Sequence, residues 1–427
     1  MFLKKTGTFL FIALILTSCQ TYTNENEKIR ADLYNGKYNE AIKKLDDSSF
    51  SKEKQNYSLF LMEKGMLLYL QDNYKEAVSS WVNSDKHLDE LYTTSISNTA
   101  SSLIINDSKS DYTGEAHERV LLPIFSSLAL FANKDNNNAI AMIRRTNDIK
   151  HEFSTKEKYK NILKYDLFSS YFSGLMYENK NEWDNAIIEY KKALNNFNES
   201  NKNTDSNQQI QNFILKDLAR LAEYRKRNDI LKEIDTNKQN IKWISHDKFV
   251  KMGEIYVVYE SGISPIKVPK NIPFFTDKTY VNISFPEYKQ IPYKNHYSEI
   301  FINDILVGKT LVFAEIGKMA KESLENRKAA DLTKIAARVI AKDVATRKIG
   351  EQNPLAGLAA NIFSMSTEVA DTRSWTTLPD TIQIYRITVA PNKEFTLKIK
   401  PKFGSPIEQS ITLNAGEKKL IRFRTFD

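Results

Sequence analysis

Apolar positions recur at helical spacing from about residue 29 to about residue 235, and give way to alternating apolar and polar positions after about residue 245. The first stretch predicts amphipathic helices, the second predominantly strands. Val120 to Ala132 is the most apolar helical run; Pro123, Ser126 and Ser127 interrupt it, which suits a buried helix of a folded domain. The Ser/Thr/Asn-rich segment 92–118 predicts an inserted loop or short helix. Residues 198–208 read as a loop, and Ile210 to Ile234 as a helix capping the array.

Part of the helical half repeats. Gly65 is followed at twelve residues by Ala77, with Tyr74 three before that Ala and Trp81 four after it. Gly174, Trp183, Ala186 and Tyr190 keep the same spacing. Partial copies lie at Asn35-Gly36-Lys37-Tyr38-Asn39-Glu40-Ala41 with Leu45, and at Asn136-Asn137-Asn138-Ala139 with Ile143. Gly and Ala let two helices of a hairpin approach closely, and aromatics fill the gaps between hairpins. The spacing resembles the tetratricopeptide repeat, a helix-turn-helix of about 34 residues. The Ala positions 41, 77, 139 and 186 are unevenly spaced, so the array is irregular.

In the second half, Glu254 to Glu260 reads as a strand ending at Ser261-Gly262. Tyr280 to Phe285 alternates and is expected to stop at Pro286. Ile300-Phe301-Ile302 and Ile305-Leu306-Val307 flank Asn303-Asp304 as a hairpin. Helical periodicity returns at Ile316, Met319, Ala320 and Leu324, then at Leu332, Ile335, Ala336, Val339 and Ile340. A break near Ala329-Ala330 is expected, with Asp331 capping a second helix. Lys321, Lys328, Lys334, Lys342 and Lys348 form its solvated face. Alternation resumes at Ile382 to Val389 and Phe395 to Lys400. Ile411-Thr412-Leu413 and Leu420 to Phe423 are joined across Asn414-Ala415-Gly416-Glu417. The predicted class is α+β. A tetratricopeptide-like helical domain over 29–240 precedes a β-sandwich-like domain over 245–427, with inserted helices at about 311–348.

The N-terminus adds an address. Lys4 and Lys5 precede an apolar run from Phe9 to Leu16, then Thr17-Ser18-Cys19. This is the order of a cleaved bacterial lipoprotein signal over 1–18. Cys19 would then carry diacylglycerol and palmitate, with 19–28 a polar tether. The rival, an uncleaved anchor, would need about 20 apolar residues. Gln20 follows Cys19 where an Asp would retain a lipoprotein at the inner membrane. The expected location is therefore the inner leaflet of the outer membrane, facing the periplasm. Loss of Lys4 and Lys5 lowers the net charge from +8 to +6, too little to point to nucleic acid. Cys19 is the one cysteine, so acylation leaves no thiol for a disulfide or a thiolate metal site.

Motifs for catalysis are missing. His117-Glu118 lacks the second His that a zinc protease needs, since position 121 is Leu121. No Walker loop, dinucleotide turn or Gly-x-Ser-x-Gly elbow occurs. No catalytic residue, metal ligand or cofactor is assigned. Tyr69, Trp81, Tyr177, Arg373 and Trp375 are the candidate partner-binding residues. Asp371-Thr372-Arg373-Ser374-Trp375 also has a structural reading, favoured over the first: an Asp/Arg pair in a corner with the Trp filling an interface.

Gly114-Glu115-Ala116-His117-Glu118-Arg119-Val120, Gly253 to Gly262 and Ala370 to Pro379, in this order, resemble an uncharacterised bacterial lipoprotein family with tetratricopeptide-like repeats. Its members are often encoded near the outer-membrane lipoprotein that activates penicillin-binding proteins. The resemblance implies an envelope protein linked to peptidoglycan synthesis and carries no catalytic residue. The leading expectation is a protein-interaction scaffold whose partner is a penicillin-binding protein or its activator. The alternatives are an enzyme acting on peptidoglycan or a periplasmic glycan, and an accessory protein of an outer-membrane complex.

Overall fold

The structure, a computed structural model, describes residues 17–97, 110–155, 161–199, 205–236, 241–275, 280–353 and 369–426. Of the signal read over 1–18, residues 1–16 lie outside these residues, as does the Cys19 side chain; the stretch 19–28, read as a tether, is helical. No helix among them is long and apolar enough to cross a membrane.

Helices fill the chain as far as Thr236. They are α1 (Thr17–Tyr34), α2 (Tyr38–Asp47), α3 (Ser49–Lys52), α4 (Tyr57–Leu70), α5 (Tyr74–Ser97), α6 (Ala116–Ala132), α7 (Asn136–Ser154), α8 (Leu167–Asn179), α9 (Trp183–Glu199), α10 (Asp205–Tyr224) and α11 (Asn228–Thr236). Five of the connections, after α1, α4, α6, α8 and α10, share one turn. Each places a single residue in the left-handed region: Gly36, Asp72, Lys134, Asn181 or Lys226, with φ from 58° to 70°. In each, the next residue's N–H donates to a carbonyl five residues back, as Asn73 does to Leu68 and Glu182 to Tyr177 (3.0 and 2.9 Å). This double-bonded helix end satisfies carbonyls that would otherwise be orphaned. Four residues after Lys37, Asn73, Asp135 and Glu182 come Ala41, Ala77, Ala139 and Ala186, all without exposed surface. The fifth turn, at Lys226, divides the single helix expected over 210–234, because the left-handed residue ends one helix and starts another. Residues 205–208, expected as loop, open α10.

The chain forms two compact units, and neither is one half of the sequence. The described parts of Met1–Glu115, Pro265–Lys289 and Ser323–Thr377 make the first. Those of Ala116–Ser264, Gln290–Glu322 and Leu378–Asp427 make the second. The change of local structure near residue 245 and the division in space are therefore different cuts.

In the first unit the hairpins α1–α2 and α4–α5 bury Leu33, Leu45, Met62, Met66 and Trp81. Strands β2 (Ile266–Phe275) and β3 (Tyr280–Lys289) form a two-stranded ribbon in which Pro269 faces Pro286. Strand β3 thus passes through Pro286 and does not stop there. A proline lacks only a donor, and a two-stranded ribbon has an open side where none is needed.

In the second unit, α12 (His246–Phe249) leads into β1 (Gly253–Ser261). The other strands are β4 (Ser298–Ile302), β5 (Ile305–Lys309), β6 (Leu311–Glu315), β7 (Thr381–Val389), β8 (Glu394–Pro401), β9 (Ile407–Thr412) and β10 (Lys418–Thr425). They make two four-stranded sheets, ordered β10-β1-β7-β6 and β5-β4-β8-β9. Ile255, Val257, Tyr259, Ile387 and Phe423 of the first sheet share one core with Ile300, Leu397, Ile399 and Ile411 of the second. The alternate face of the first sheet meets helices: Tyr256 lies 6.0 Å from Phe131 of α6, and Phe313 of β6 lies 4.9 Å from Tyr171 of α8. That is why β1 is buried along its whole length. The turn at Asn303 and Asp304 has φ of 49° and 62°, the left-handed pair of a two-residue hairpin. The connection at Asn414 to Glu417 joins strands of different sheets, with β9 on β8 and β10 parallel to β1.

Residues 311–315, expected within the inserted helices, are strand β6. The helix that follows, α13 (Ile316–Gln352), runs without a break. Ala329 and Ala330 are strong helix formers, and Asp331 pairs one turn back with Arg327 (3.3 Å) in place of capping.

Candidate functional site

The repeat motif does geometric work in both units. A Cβ on Gly65 would fall within the indole of Trp81, and one on Gly174 onto the ring of Tyr190. The missing methyl is what lets each aromatic cross to the neighbouring helix. What the aromatic then reaches differs. The Trp81 indole N–H donates to the Met62 carbonyl (3.1 Å), whereas the Tyr190 hydroxyl donates to Glu178 Oε2 (2.8 Å).

All five candidate partner-binding residues are interior. Tyr69 and Trp81 have no exposed surface, Trp375 is 1 % exposed, and Arg373 and Tyr177 remain below a tenth. Tyr69 and Trp375 both lie against Trp81, at 5.6 and 6.1 Å between ring centres. Arg373 grips Asp371 with Nε and Nη2 (2.9 and 2.8 Å) and donates Nη1 to Asn56 Oδ1 and the Ser110 carbonyl. The Asp/Arg pair of the corner reading is therefore formed, and these contacts are intramolecular. Beside them Glu63 accepts from the Thr376 N–H (2.6 Å) and from the hydroxyls of Thr376 and Thr377 (2.8 and 2.6 Å). Burial raises the Glu63 pKa. Those hydrogen bonds and the Arg30 charge offset only part of the shift.

The second unit holds a group of residues that pattern reading passed over. On the helix-facing side of the first sheet, Arg386 of β7 lies opposite Tyr256 of β1, and Glu254 lies opposite Lys418 of β10. Arg386 donates Nε and Nη2 to Glu254 Oε2 (2.9 and 2.6 Å), Nη2 to Glu178 Oε1 (2.9 Å) and Nη1 to Asp217 Oδ1 (2.8 Å). Arg220 of α10 donates Nη2 to Glu178 (2.8 Å) and Asp217 (3.1 Å), and Nη1 to His246 Nδ1 (3.3 Å). Tyr171, Tyr190 and Tyr256 each donate a hydroxyl hydrogen bond to one of the three carboxylates, Asp217, Glu178 and Glu254 in turn. The Phe249 ring lies under both guanidiniums, 3.9 Å from Arg220 and 4.6 Å from Arg386.

Three carboxylates thus face Arg220, Arg386 and Lys418, and the charges balance. Burial by itself would raise the Glu178 pKa, but Arg220 and Arg386, with Lys418, hold it well below the usual carboxylate range. Burial, with the nearby carboxylates, pushes the tyrosines well above their ordinary value. The Lys418 ammonium is pushed down by burial despite Glu254. Burial and then the Arg220 charge lower His246. A general acid or base works best with a pKa near the ambient pH. Here the carboxylate and the hydroxyls are driven in opposite directions away from it. Those four groups can hold fixed charges and dipoles in place and are poorly disposed to move protons.

This network forms part of the floor of a cleft of about 880 Å³. Asp217, Arg220, Tyr385 and Arg386 lie at its base. Phe213, Trp243 and Tyr297 supply aromatic wall, Leu306 and Ile244 aliphatic wall, and Lys216, Lys242 and Lys309 the rim. Trp243 is pinned by its indole N–H to Glu223 (2.9 Å). Among the described residues no group of three or more His, Cys, Asp or Glu is placed to hold a metal ion.

Four members carried a local signal: a charge standing where the pattern calls for an apolar residue. Glu178 lies in an otherwise uncharged helix, Asp217 and Arg220 beside the Ile214–Leu218–Leu221 stripe, and Arg386 in an alternating strand. No protein-family model matches the chain, and no curated protein does.

Proposed function

We propose that this chain is a lipid-anchored protein-interaction module of the bacterial cell envelope. In this reading Cys19 carries the lipid and holds the protein at the inner leaflet of the outer membrane. Its partner is a penicillin-binding protein or the lipoprotein that activates one. The helical hairpins are read as tetratricopeptide-like repeats and the two sheets as a β-sandwich. The shared turn with its buried Ala supports the first, and the common core of the sheets supports the second.

The observation that carries binding over catalysis is the floor of the cleft. Its charges are spent on one another, the Glu178 carboxylate beneath it is held ionised and the tyrosine hydroxyls are held protonated. A preformed concave site with fixed polar groups and aromatic walls is the usual form of a binding pocket.

The test is crosslinking in living cells that carry a tagged copy, with Cys19→Ala as the unanchored control and captured proteins identified by mass spectrometry. Specific capture of a wall synthase or its activator, lost in the control, is the expected result. Absence of any reproducible capture overturns the reading.

A further inference from the structure

The cleft of the second unit divides its charges by depth. At the floor, all five N–H groups of Arg386 are directed at carboxylates, the fifth through a bond of 3.4 Å from Nη1 to Glu178 Oε2, so its guanidinium has no donor left over for a ligand. Asp217 is likewise committed to Arg386, Arg220 and Tyr171. The rim is different. Lys216 and Lys242 form no ion pair among the described residues, and Lys309 stands over the Tyr297 ring at 5.2 Å. Glu299 of β4 is the one other carboxylate in the lining. Unspent positive charge therefore surrounds an aromatic interior.

We propose that this cleft binds an extended acidic segment of a partner protein. The segment sets an apolar side chain against Phe213 and Trp243 and its carboxylates against Lys216, Lys242 and Lys309. The inference rests on reading the protein as an interaction module and names the chemistry of what it binds. Charge complementarity selects the acidic partner. Shape selects a chain over a membrane, because the aromatic walls line a concavity that a flat bilayer does not enter.

The neighbouring edge refines the mode. Strand β5 is the outer strand of its sheet, and Leu306, more than half exposed, lines the mouth of the cleft. That edge is not a free template for another strand. The β4–β5 register shifts at Ile300/Phe301, and the Tyr385 hydroxyl donates to the Val307 carbonyl (2.7 Å). Such irregularities are how proteins blunt exposed edges. Side chains, more than an added strand, carry the recognition.

The probe is a short dye-labelled peptide alternating Glu and Leu, titrated against the full mature chain by fluorescence anisotropy. A Lys-for-Glu peptide and phosphatidylglycerol vesicles serve as the other arms. The acidic peptide should bind, more tightly at low salt. Lys216→Glu combined with Lys242→Glu should weaken it by roughly tenfold or more, and the Arg pair at the same positions should retain it. Both lysines are solvent-exposed, so circular dichroism should show an unchanged fold. Leu306→Ser should weaken binding by a smaller factor. Equal binding of both peptides, indifference to the charge reversal, or binding of vesicles alone overturns the assignment. Peptide failure with cellular crosslinking intact removes this inference only; loss of the crosslinks removes the interaction reading beneath it.

Discussion

The hairpins α4–α5 and α8–α9 carry the same spacing of Gly, Ala and aromatics, yet enclose opposite chemistry. In the first, Trp81 fills the gap and meets Trp375, and the buried Glu63 is satisfied by neutral donors. In the second, Tyr190 fills the gap and its hydroxyl donates to Glu178, which also accepts from two guanidiniums. Both glutamates are almost wholly buried, at 1 % and 2 % exposed. Burial acts on both in the same direction, and their pKa values still move apart. Hydroxyls and an amide do not compensate the loss of water around Glu63, whereas Arg220 and Arg386 more than compensate it around Glu178. Partner charge, not burial, separates them.

The largest test of that contrast is Arg386→Met. It leaves Glu178, Asp217 and Glu254 with too little positive charge, and should destabilise the protein by about 3–5 kcal/mol in urea titration. A loss below about 1 kcal/mol would mean that water or relaxation replaces the guanidinium. Next comes Glu178→Gln, which strips charge-assisted bonds from both arginines and should cost about 2–3 kcal/mol. Gly65→Ala follows, at about 1–3 kcal/mol in thermal melts, because Trp81 must move to admit the methyl. Helix propensity alone would make this change favourable by up to about 1 kcal/mol, so the sign decides whether close approach matters.

The smallest effect is expected from Glu63→Gln at neutral pH, within about 1 kcal/mol, since its hydrogen-bond donors are uncharged. Its diagnostic is pH. The raised Glu63 pKa contributes stability that is fully present below the ordinary glutamate value of about 4.3 and lost as pH rises through the raised value. The lowered Glu178 pKa contributes stability present above about 4.3 and lost as pH falls through the lowered value. Denaturation midpoints across the acid range should therefore lose one slope in Glu63→Gln and the opposite slope in Glu178→Gln. Parallel profiles for the two variants would erase the distinction.

Legibility along the chain follows the range of the forces involved. The hairpin turns at Gly36, Asp72, Lys134 and Asn181 were readable from flanking Ala and apolar positions, because their hydrogen bonds close within six residues. The turn at Lys226 lacks that Ala, with Leu231 in its place, and merged into one expected helix. Strands were visible as alternation, but their partners were not. Strand β10 pairs with β1 from the far end of the second half, and the strand at 311–315 looked like the start of a helix. The charged network was locally visible only as misfits at Glu178, Asp217, Arg220 and Arg386.

By itself the sequence determined the α+β class, the helical hairpins and the order of most strands, since these arise from propensity and periodicity between near neighbours. Only the tertiary structure decided which sheet each strand joined and how the segments interleave into two units. It also decided that Glu178 is driven down and Glu63 up. A buried charge is set by whichever groups surround it, and here those groups come from helices and strands far apart along the chain.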